Sequence, residues 1–238
     1  MTNPIIMKIK ILYEDKDILA IDKPSGILVD LISEKYPNFL LAHRLDKETS
    51  GVMLLAKSEK AHEFLKRQFK DRAVKKFYNT VVSGHVKNDH GIINKPIGRS
   101  PADFRRRLSG RGARGEMREA ITEYKVLKRF EAPILEISSR FTLKGSDTTK
   151  KFQESSLQKF TYLEVKPKTG RTHQIRVHMK YLNHPVACDS LYDPKGPCPK
   201  PFKRLALHAK SIEFKNLKGK IVKVESPLPL DFKNLFAQ

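Results

Sequence analysis

The sequence predicts an α+β fold: a mixed, largely antiparallel sheet with flanking helices and loops. Short runs of β-forming residues outnumber the segments with helical periodicity, of which we find two. These runs do not alternate regularly with helices, which argues against a parallel α/β sheet. At 238 residues the chain has the length of one large domain. We therefore expect a single domain over 1–238.

The first half of the chain begins with strand-forming segments. The apolar residues after Ser58 recur at helical spacing, and this serine is expected to cap the helix that they form. A KPSG segment breaks the chain before that point. The predicted elements are two short strands within 9–22, the break at 23–26, a buried strand over 51–56, a helix over 59–71 and a strand over 74–82.

The second half contains more strands and two polar segments. Residues 98–118 carry seven arginines against two acidic residues and are predicted to form a basic loop or hairpin tip. Residues 144–159 are polar and are expected to be an exposed insertion. The predicted elements are strands over 120–130, 133–143 and 162–166, a helix over 173–182 capped by Thr172, and strands over 205–214 and 221–225.

The charge of the chain indicates its class of partner. It has 47 Lys and Arg residues against 26 Asp and Glu residues, a formal net charge of +21. Such an excess repels itself unless an acidic partner neutralises it, and nucleic acid is the commonest one. A membrane surface usually requires a basic amphipathic helix with exposed apolar residues. We therefore expect RNA or DNA as partner and no membrane, with a merely solvated basic protein as the alternative.

The cysteines and the start of the chain bear on compartment and metal. Cys188 and Cys198 are too few for a disulfide scaffold, so we expect a buried thiol and a loop thiol in a reducing, cytoplasmic setting. Residues 1–12 lack the regions of a signal peptide. A C-x₂-C pair is missing, so we expect no metal site. A monomer is expected.

The first segment with candidate chemistry is HRLDKETSG at 43–51, which leads into an apolar run. Asp46 is a carboxylate at the mouth of a buried strand, with a cation on either side. Nearby positive charge keeps a carboxylate ionised, and such a group can act as nucleophile or base at an anomeric carbon. The alternative is a turn aspartate that caps backbone groups of Thr49 or Ser50.

The second segment is GRTHQIRVHM at 170–179. On the predicted helix Gln174 and His178 are i,i+4 neighbours. Arg176 faces away from the apolar stripe of this helix and is therefore able to reach into a site. The alternative is a solvated basic helix face.

Together these two segments resemble the signature motifs of the RluA-type family of RNA pseudouridine synthases. Weaker matches in the same order extend the resemblance from about Ile9 to Phe232; they are 11–15, 23–26, 76–78, 120–124, 184–186 with Asp189, and 207–209. The resemblance implies a pseudouridine synthase-like catalytic domain. It implies isomerisation of uridine to pseudouridine in structured RNA, with ribosomal RNA favoured and transfer RNA possible, and no cofactor.

The resemblance also assigns roles. Asp46 matches the essential aspartate, Tyr78 the tyrosine that stacks on the target base and can take its C5 proton, and Arg176 the basic partner of the aspartate. Arg44 matches the arginine that enters the space left by the flipped nucleotide, and Leu45 lines the base pocket. Further substrate contacts are expected from His43, Arg171, Arg105, Arg106 and Arg107, the last three in a hairpin that resembles one that grips RNA.

Some features depart from the family. Asp46 lies too early to leave room for the N-terminal S4 domain that many relatives carry, so we expect the catalytic domain alone. A catalytically silent RNA-binding or ribosome-assembly protein is the main alternative, although it does not require Asp46, Tyr78 and Arg176 together. A hydrolase that uses Asp46 would need a second carboxylate and would release free uracil. Attack on C1′ and removal of the C2′ proton both remain open as the role of the aspartate.

Overall fold

The computed structural model describes residues 9–110, 112–134 and 157–236. Its strands are β1 (Lys10–Glu14), β2 (Ile18–Lys23), β3 (Leu40–Leu41), β4 (Ser50–Ala56), β5 (Lys75–Ser83), β6 (His90–Asn94), β7 (Ile97–Arg99), β8 (Arg107–Ser109), β9 (Arg114–Arg118), β10 (Ile121–Pro133), β11 (Leu157–Pro167), β12 (Leu207–Lys215) and β13 (Ile221–Glu225). Its helices are α1 (Val29–Lys35), α2 (Glu59–Lys70), α3 (Gln174–Tyr181) and α4 (Leu230–Asn234). Within these ranges no helix is both long and apolar enough to cross a membrane.

Ten of these strands form one sheet in the order β1-β2-β4-β12-β5-β11-β10-β6, with β3 beside β4 and β13 beside β12. The pairing of β12 with β4 is parallel, and the other pairings are antiparallel. A second, three-stranded sheet has the order β8-β7-β9. The prediction of an α+β fold with a largely antiparallel sheet is confirmed.

The parallel pairing explains the glycine that ends the HRLDKETSG segment. Gly51 lies opposite Ala209 and has a φ of +115°, which disfavours other residues. A Cβ atom at this position would lie within 2.2 Å of the Ala209 carbonyl oxygen. Only glycine therefore allows β4 and β12 to pair directly after the segment that carries Asp46.

Two buried apolar clusters pack against the large sheet. One contains residues of β2, β4, α2 and β12, and the other contains residues of β5, β11, α3 and the end of the chain. Tyr78 contacts both clusters. It lies on β5 opposite Ala209, which in turn lies opposite Gly51 on the far side of β12. This register places Tyr78 level with the start of β4, with β12 between the two strands.

The helical signals are confirmed in part. Ser58 caps α2 by accepting a hydrogen bond from the Ala61 backbone N–H. The second helix begins one residue later than expected, because His173 and not Thr172 is its N-cap, with a φ of +56°. The short helices α1 and α4 have no side-chain cap, which left no start signal in the sequence.

The boundaries of β10 and β11 differ from the prediction. Pro133 ends β10 and does not open a new strand; most of the predicted strand over 133–143 lies outside the described residues. Strand β11 begins at Leu157, so the last three residues of the predicted insertion at 144–159 pair with β10. The rest of that insertion lies outside the described residues. The predicted basic loop at 98–118 is a small sheet, made of β7, β8 and β9.

The two cysteines form a disulfide, so the prediction of two free thiols is wrong. Both residues lie in the loop after α3. Turns closed by the Asp193 and Gly196 backbone N–H groups fold this loop back on itself. The Cα atoms of Cys188 and Cys198 come within 4.7 Å of each other. The spacing of ten residues gave no sign of this return.

Candidate active site

The KPSG segment at 23–26 holds the loop that carries Asp46 through hydrogen bonds. The buried Lys23 ammonium donates hydrogen bonds to the carbonyl oxygens of Pro24, Ile27 and Lys47. The Gly26 N–H also donates to the Lys47 carbonyl. Burial lowers the pKa of Lys23 to about 8, against the opposing charges of Asp46 and Glu48. The KPSG segment therefore fixes the backbone directly after Asp46.

The Asp46 carboxylate is partly exposed, at 23% of its side-chain surface, and faces two cationic or potentially cationic groups. Its Oδ2 lies 3.6 Å from Nη1 of Arg176, and its Oδ1 lies 3.9 Å from Nε2 of His173. Its backbone carbonyl accepts from the Thr49 N–H. Among the described residues its side chain accepts no hydrogen bond from the backbone of Thr49 or Ser50. The carboxylate is thus available for chemistry.

The tight partner of Arg176 is not Asp46 but Asp189. Arg176 Nε and Nη2 each donate a 2.7 Å hydrogen bond to one oxygen of Asp189, and both side chains are buried. This bidentate pair fixes the guanidinium plane. Nη1 remains directed at Asp46 and also lies 4.0 Å from Glu48. The predicted pair with Asp46 is therefore a longer contact than that with Asp189.

Tyr78 lies close enough to Asp46 for the carboxylate charge to act on its phenol. Burial raises the pKa of its phenol well above the ordinary value, and the charge of Asp46 raises it further. The phenol is therefore protonated at neutral pH. Its half-buried ring is fixed between two apolar clusters and can serve as a stacking surface.

Tyr192 connects the site to the small sheet. Its hydroxyl oxygen accepts a 2.9 Å hydrogen bond from the Arg107 backbone N–H and lies 3.0 Å from Nδ1 of His173. The guanidinium carbon of Arg176 lies 5.1 Å from the centre of its ring. Tyr192 thus contacts β8 at Arg107, α3 at Arg176, and the His173 imidazole that faces Asp46.

The other polar residues of the helix motif serve the fold. Gln174 donates to the Ile121 carbonyl and to Thr122 Oγ1, and it accepts from Thr169 and from the Arg171 backbone N–H. His178, one turn later, contacts the same Thr122 hydroxyl and the Lys95 carbonyl. These bonds tie α3 to β10 and fix the orientation of Arg176.

The four remaining residues that the sequence assigned to substrate contact in the two motifs lie at different depths. His43 accepts a 3.0 Å hydrogen bond from the Leu54 N–H, and burial lowers its pKa to about 3. Leu45 packs into the first apolar cluster beside Asp46. Arg44 is exposed at the surface next to them. Arg171 donates from Nε to the Glu119 carbonyl. His43 therefore holds the loop in place from inside the fold, whereas Arg44 is the one of the four that is free to meet a substrate.

The three hairpin arginines lie at one end of the small sheet. Arg105 donates to both oxygens of Asp103, and Arg106 lies 3.6 Å from the same carboxylate. Arg107 donates to the carbonyl oxygens of Phe104 and Arg106. The structure thus joins the hairpin to the site through the Arg107 backbone, with Arg105 exposed and Arg106 and Arg107 partly buried.

Three residues contribute to the site although the sequence did not indicate this role for them. Lys23 is a buried lysine between a strand and a proline, an unusual position that could have been noticed. Asp189 belongs to one of the weaker family matches, but neither periodicity nor spacing gives it or Tyr192 a role in the site, because both lie in an irregular loop. Among the described residues, the side chains close enough together to share a metal ion are Glu59, His62 and Glu63 on α2, outside the Asp46 site.

Comparison with known proteins identifies the family of the chain. The family model for RNA pseudouridylate synthase matches residues 17–181. An uncharacterized RNA pseudouridine synthase of Aquifex aeolicus is 40% identical over 205 residues, covering 77% of this chain and 56% of that protein. Ribosomal large subunit pseudouridine synthase D of Neisseria meningitidis serogroup B is 33% identical, covering 97% of this chain and 61% of that protein. The chain thus spans between half and two thirds of these two relatives.

A solved structure shares the fold over the whole chain. Human RNA pseudouridylate synthase domain containing 1 is 26% identical with a TM-score of 0.77, covering all of this chain and 90% of that one. The residues matched by the family model, 17–181, include both motifs, β4, β5 and α3. The chain belongs to the RNA pseudouridylate synthase family.

Proposed function

We propose that this protein converts uridine to pseudouridine in structured RNA, with ribosomal RNA as the favoured substrate and Asp46 as the catalytic carboxylate. The observation that carries the proposal is the orientation of the Arg176 guanidinium, which binds Asp189 and also faces Asp46. Two of its nitrogens are committed to Asp189, and the third lies 3.6 Å from Asp46. A fixed cation therefore faces the carboxylate without occupying it in a short hydrogen bond.

The reaction is an isomerisation of the nucleotide. The N1–C1′ bond of the uridine breaks, the uracil turns, and a C5–C1′ bond forms; C5 loses a proton and N1 gains one. Asp46 either attacks C1′ or removes the C2′ proton. Both routes are redox-neutral and require no carrier group, which supports the proposal that no cofactor takes part. Tyr78 would support the detached base by stacking.

The target nucleotide must leave its stack to reach Asp46. Flipping costs a few kcal/mol and favours loops and weakly paired sites. Arg44, which is exposed and two residues from Asp46, would enter the vacated space, and the net charge of +21 supplies attraction to phosphate. The name of the Neisseria relative supports ribosomal RNA as the substrate class, and transfer RNA is the second substrate class to test.

The test is release of tritium from RNA transcripts labelled at uridine C5. Asp46→Asn keeps the shape of the side chain and removes its charge and basicity, so we expect turnover to be abolished while RNA binding persists. Asp30→Asn, an exposed carboxylate on α1, is the control and should turn over normally. Wild-type turnover in Asp46→Asn would contradict the assignment. Binding without turnover in every form would instead identify a silent RNA-binding protein, and mapping pseudouridines in total RNA with and without the gene would identify the target.

A further inference from the structure

The turn that connects β7 to β8 presents an aromatic side chain to solvent. Phe104 is 86% exposed, more than any other large hydrophobic side chain among the described residues. Single exposed apolar residues are common on proteins, but a phenyl ring with nearly all of its surface in water loses the free energy of its burial. The backbone and the charged residues near Phe104 indicate whether the exposed ring has a binding role.

Hydrogen bonds fix the backbone on both sides of Phe104 and hold the residue at the exposed turn. Asp103 Oδ1 accepts from the Arg105 backbone N–H at 2.9 Å, and the Asp103 carbonyl accepts from the Arg106 N–H at 2.9 Å. Arg107 Nη1 donates to the Phe104 carbonyl at 2.9 Å. The Ser100 N–H closes the turn by donating to the Arg106 carbonyl. The hairpin therefore holds the ring outward.

Arginines flank Phe104 along the hairpin. The three residues after Phe104 are arginines, and Arg99 lies opposite Arg107 in the β7–β8 pairing. Unpaired bases stack on aromatic rings while arginines bind the adjoining phosphates, and this pairing of side chains is typical of single-stranded RNA contacts. A ring that served only folding would not need this charge.

The hairpin is also rooted at the Asp46 site. The Arg107 N–H donates to Tyr192, whose hydroxyl lies 3.0 Å from the imidazole that faces Asp46. Phe104 is three residues from Arg107, so their Cα atoms are within about 11 Å of each other. Phe104 therefore lies on a hairpin that is anchored at the Asp46 site, so RNA bound at that site has this hairpin as a neighbour.

We propose that Phe104 stacks on an unpaired base of the bound RNA close to the target uridine, with the flanking arginines on its phosphates. The proposal rests on the proposed function for the identity of the partner, but it concerns binding and not turnover. It predicts preference for single-stranded or looped RNA over a continuous duplex. An anionic membrane surface is the other partner that an arginine-flanked phenyl ring would suit.

The test uses the fact that the chain contains no tryptophan. Phe104→Trp introduces one indole at the turn and preserves the stacking surface. We expect its fluorescence to be quenched by a short single-stranded oligouridine, with affinity equal to wild type. Phe104→Ala should bind the same RNA about tenfold more weakly, the usual cost of losing one base–aromatic stack, with an unchanged salt slope. Leu230→Ala, at another exposed apolar residue, should bind as wild type does.

Three results would overturn the proposal. The first is equal RNA affinity of Phe104→Ala and wild type, and the second is RNA binding that leaves the Phe104→Trp fluorescence unchanged. The third is a blue shift of that fluorescence with vesicles of anionic phospholipid and no quenching by RNA, which would assign the ring to a membrane. Quenching by RNA in a protein that forms no pseudouridine would confirm the stacking and contradict the proposed function.

Discussion

The hydroxyl oxygen of Tyr192 lies 3.0 Å from Nδ1 of His173, and Nε2 of the same imidazole lies 3.9 Å from Asp46. The Tyr192 oxygen already accepts the Arg107 N–H, and burial raises the pKa of its phenol to about 12, so its own proton is available to Nδ1. His173 would then carry its proton on Nε2, directed at Asp46. Burial lowers the pKa of His173, which favours this neutral form.

Tyr192→Phe removes this hydroxyl and keeps the ring on which Arg176 rests. We expect kcat to fall about tenfold, the value of one hydrogen bond, because the tautomer that faces Asp46 is no longer fixed. KM for RNA should change little. Tyr181→Phe, at a half-exposed phenol on α3, is the control. A rise in KM with unchanged kcat would show instead that Tyr192 serves only to anchor the hairpin.

Asp189→Ala tests the buried pair. It leaves the Arg176 guanidinium buried without its bidentate partner, so the free energy of unfolding should fall by about 3–5 kcal/mol. Urea denaturation measures this loss. Arg176→Lys keeps the charge but cannot form the planar pair, and it should reduce turnover more than RNA affinity. Unchanged stability in Asp189→Ala would mean that solvent or Asp46 replaces the lost partner.

Stability should fall as the medium becomes acidic. Burial lowers the pKa of His43 to about 3 and that of His208 to about 4, whereas an unfolded histidine titrates near 6.5. Below about pH 6.5 the unfolded chain therefore binds protons that the folded chain excludes. Each group costs up to about 1.4 kcal/mol per pH unit down to its folded pKa, and its contribution is fully present above pH 6.5.

The matched variant is His43→Gln, which keeps an acceptor for the Leu54 N–H and removes the titration. Its unfolding free energy, followed by urea denaturation between pH 5 and 6.5, should vary with a slope smaller by about one proton. His90→Gln makes the same substitution at an exposed position and serves as the control. An unchanged slope in His43→Gln would show that the imidazole is protonated in the folded protein.

The sequence predicted those parts of the fold that depend on local signals. Ser58 and the helical spacing after it specify α2 locally. The Asp46 segment was recognisable because its residue types are contiguous. Asp189 was not recognisable as the partner of Arg176, because that contact depends on how a loop without regular structure returns to α3. The same loop brings Cys188 to Cys198. When a loop without regular structure folds back on the protein, the contacts that it makes follow no periodic sequence pattern and therefore could not be predicted.

Arg105, Arg106 and Arg107 should account for part of the salt dependence of RNA binding. Each phosphate that an arginine neutralises adds about 0.7 to the slope of log affinity against log salt for single strands. Replacing all three by alanine should flatten the slope by up to about 2 units. Two of the three face Asp103 in the free protein and must exchange that carboxylate for phosphate, which reduces the net gain but not the counterions released from RNA.

Affinity of the triple variant should fall across many RNAs while the modified position stays the same, because phosphate contacts orient the strand and do not read its sequence. The control replaces Lys218, Lys220 and Lys223 in the β12–β13 hairpin, which has similar charge but no contact with Tyr192. Its slope should equal that of the wild type. If the arginine variant also keeps the wild-type slope in a salt titration, these side chains only solubilise the hairpin, and Phe104 would have to bind RNA without them.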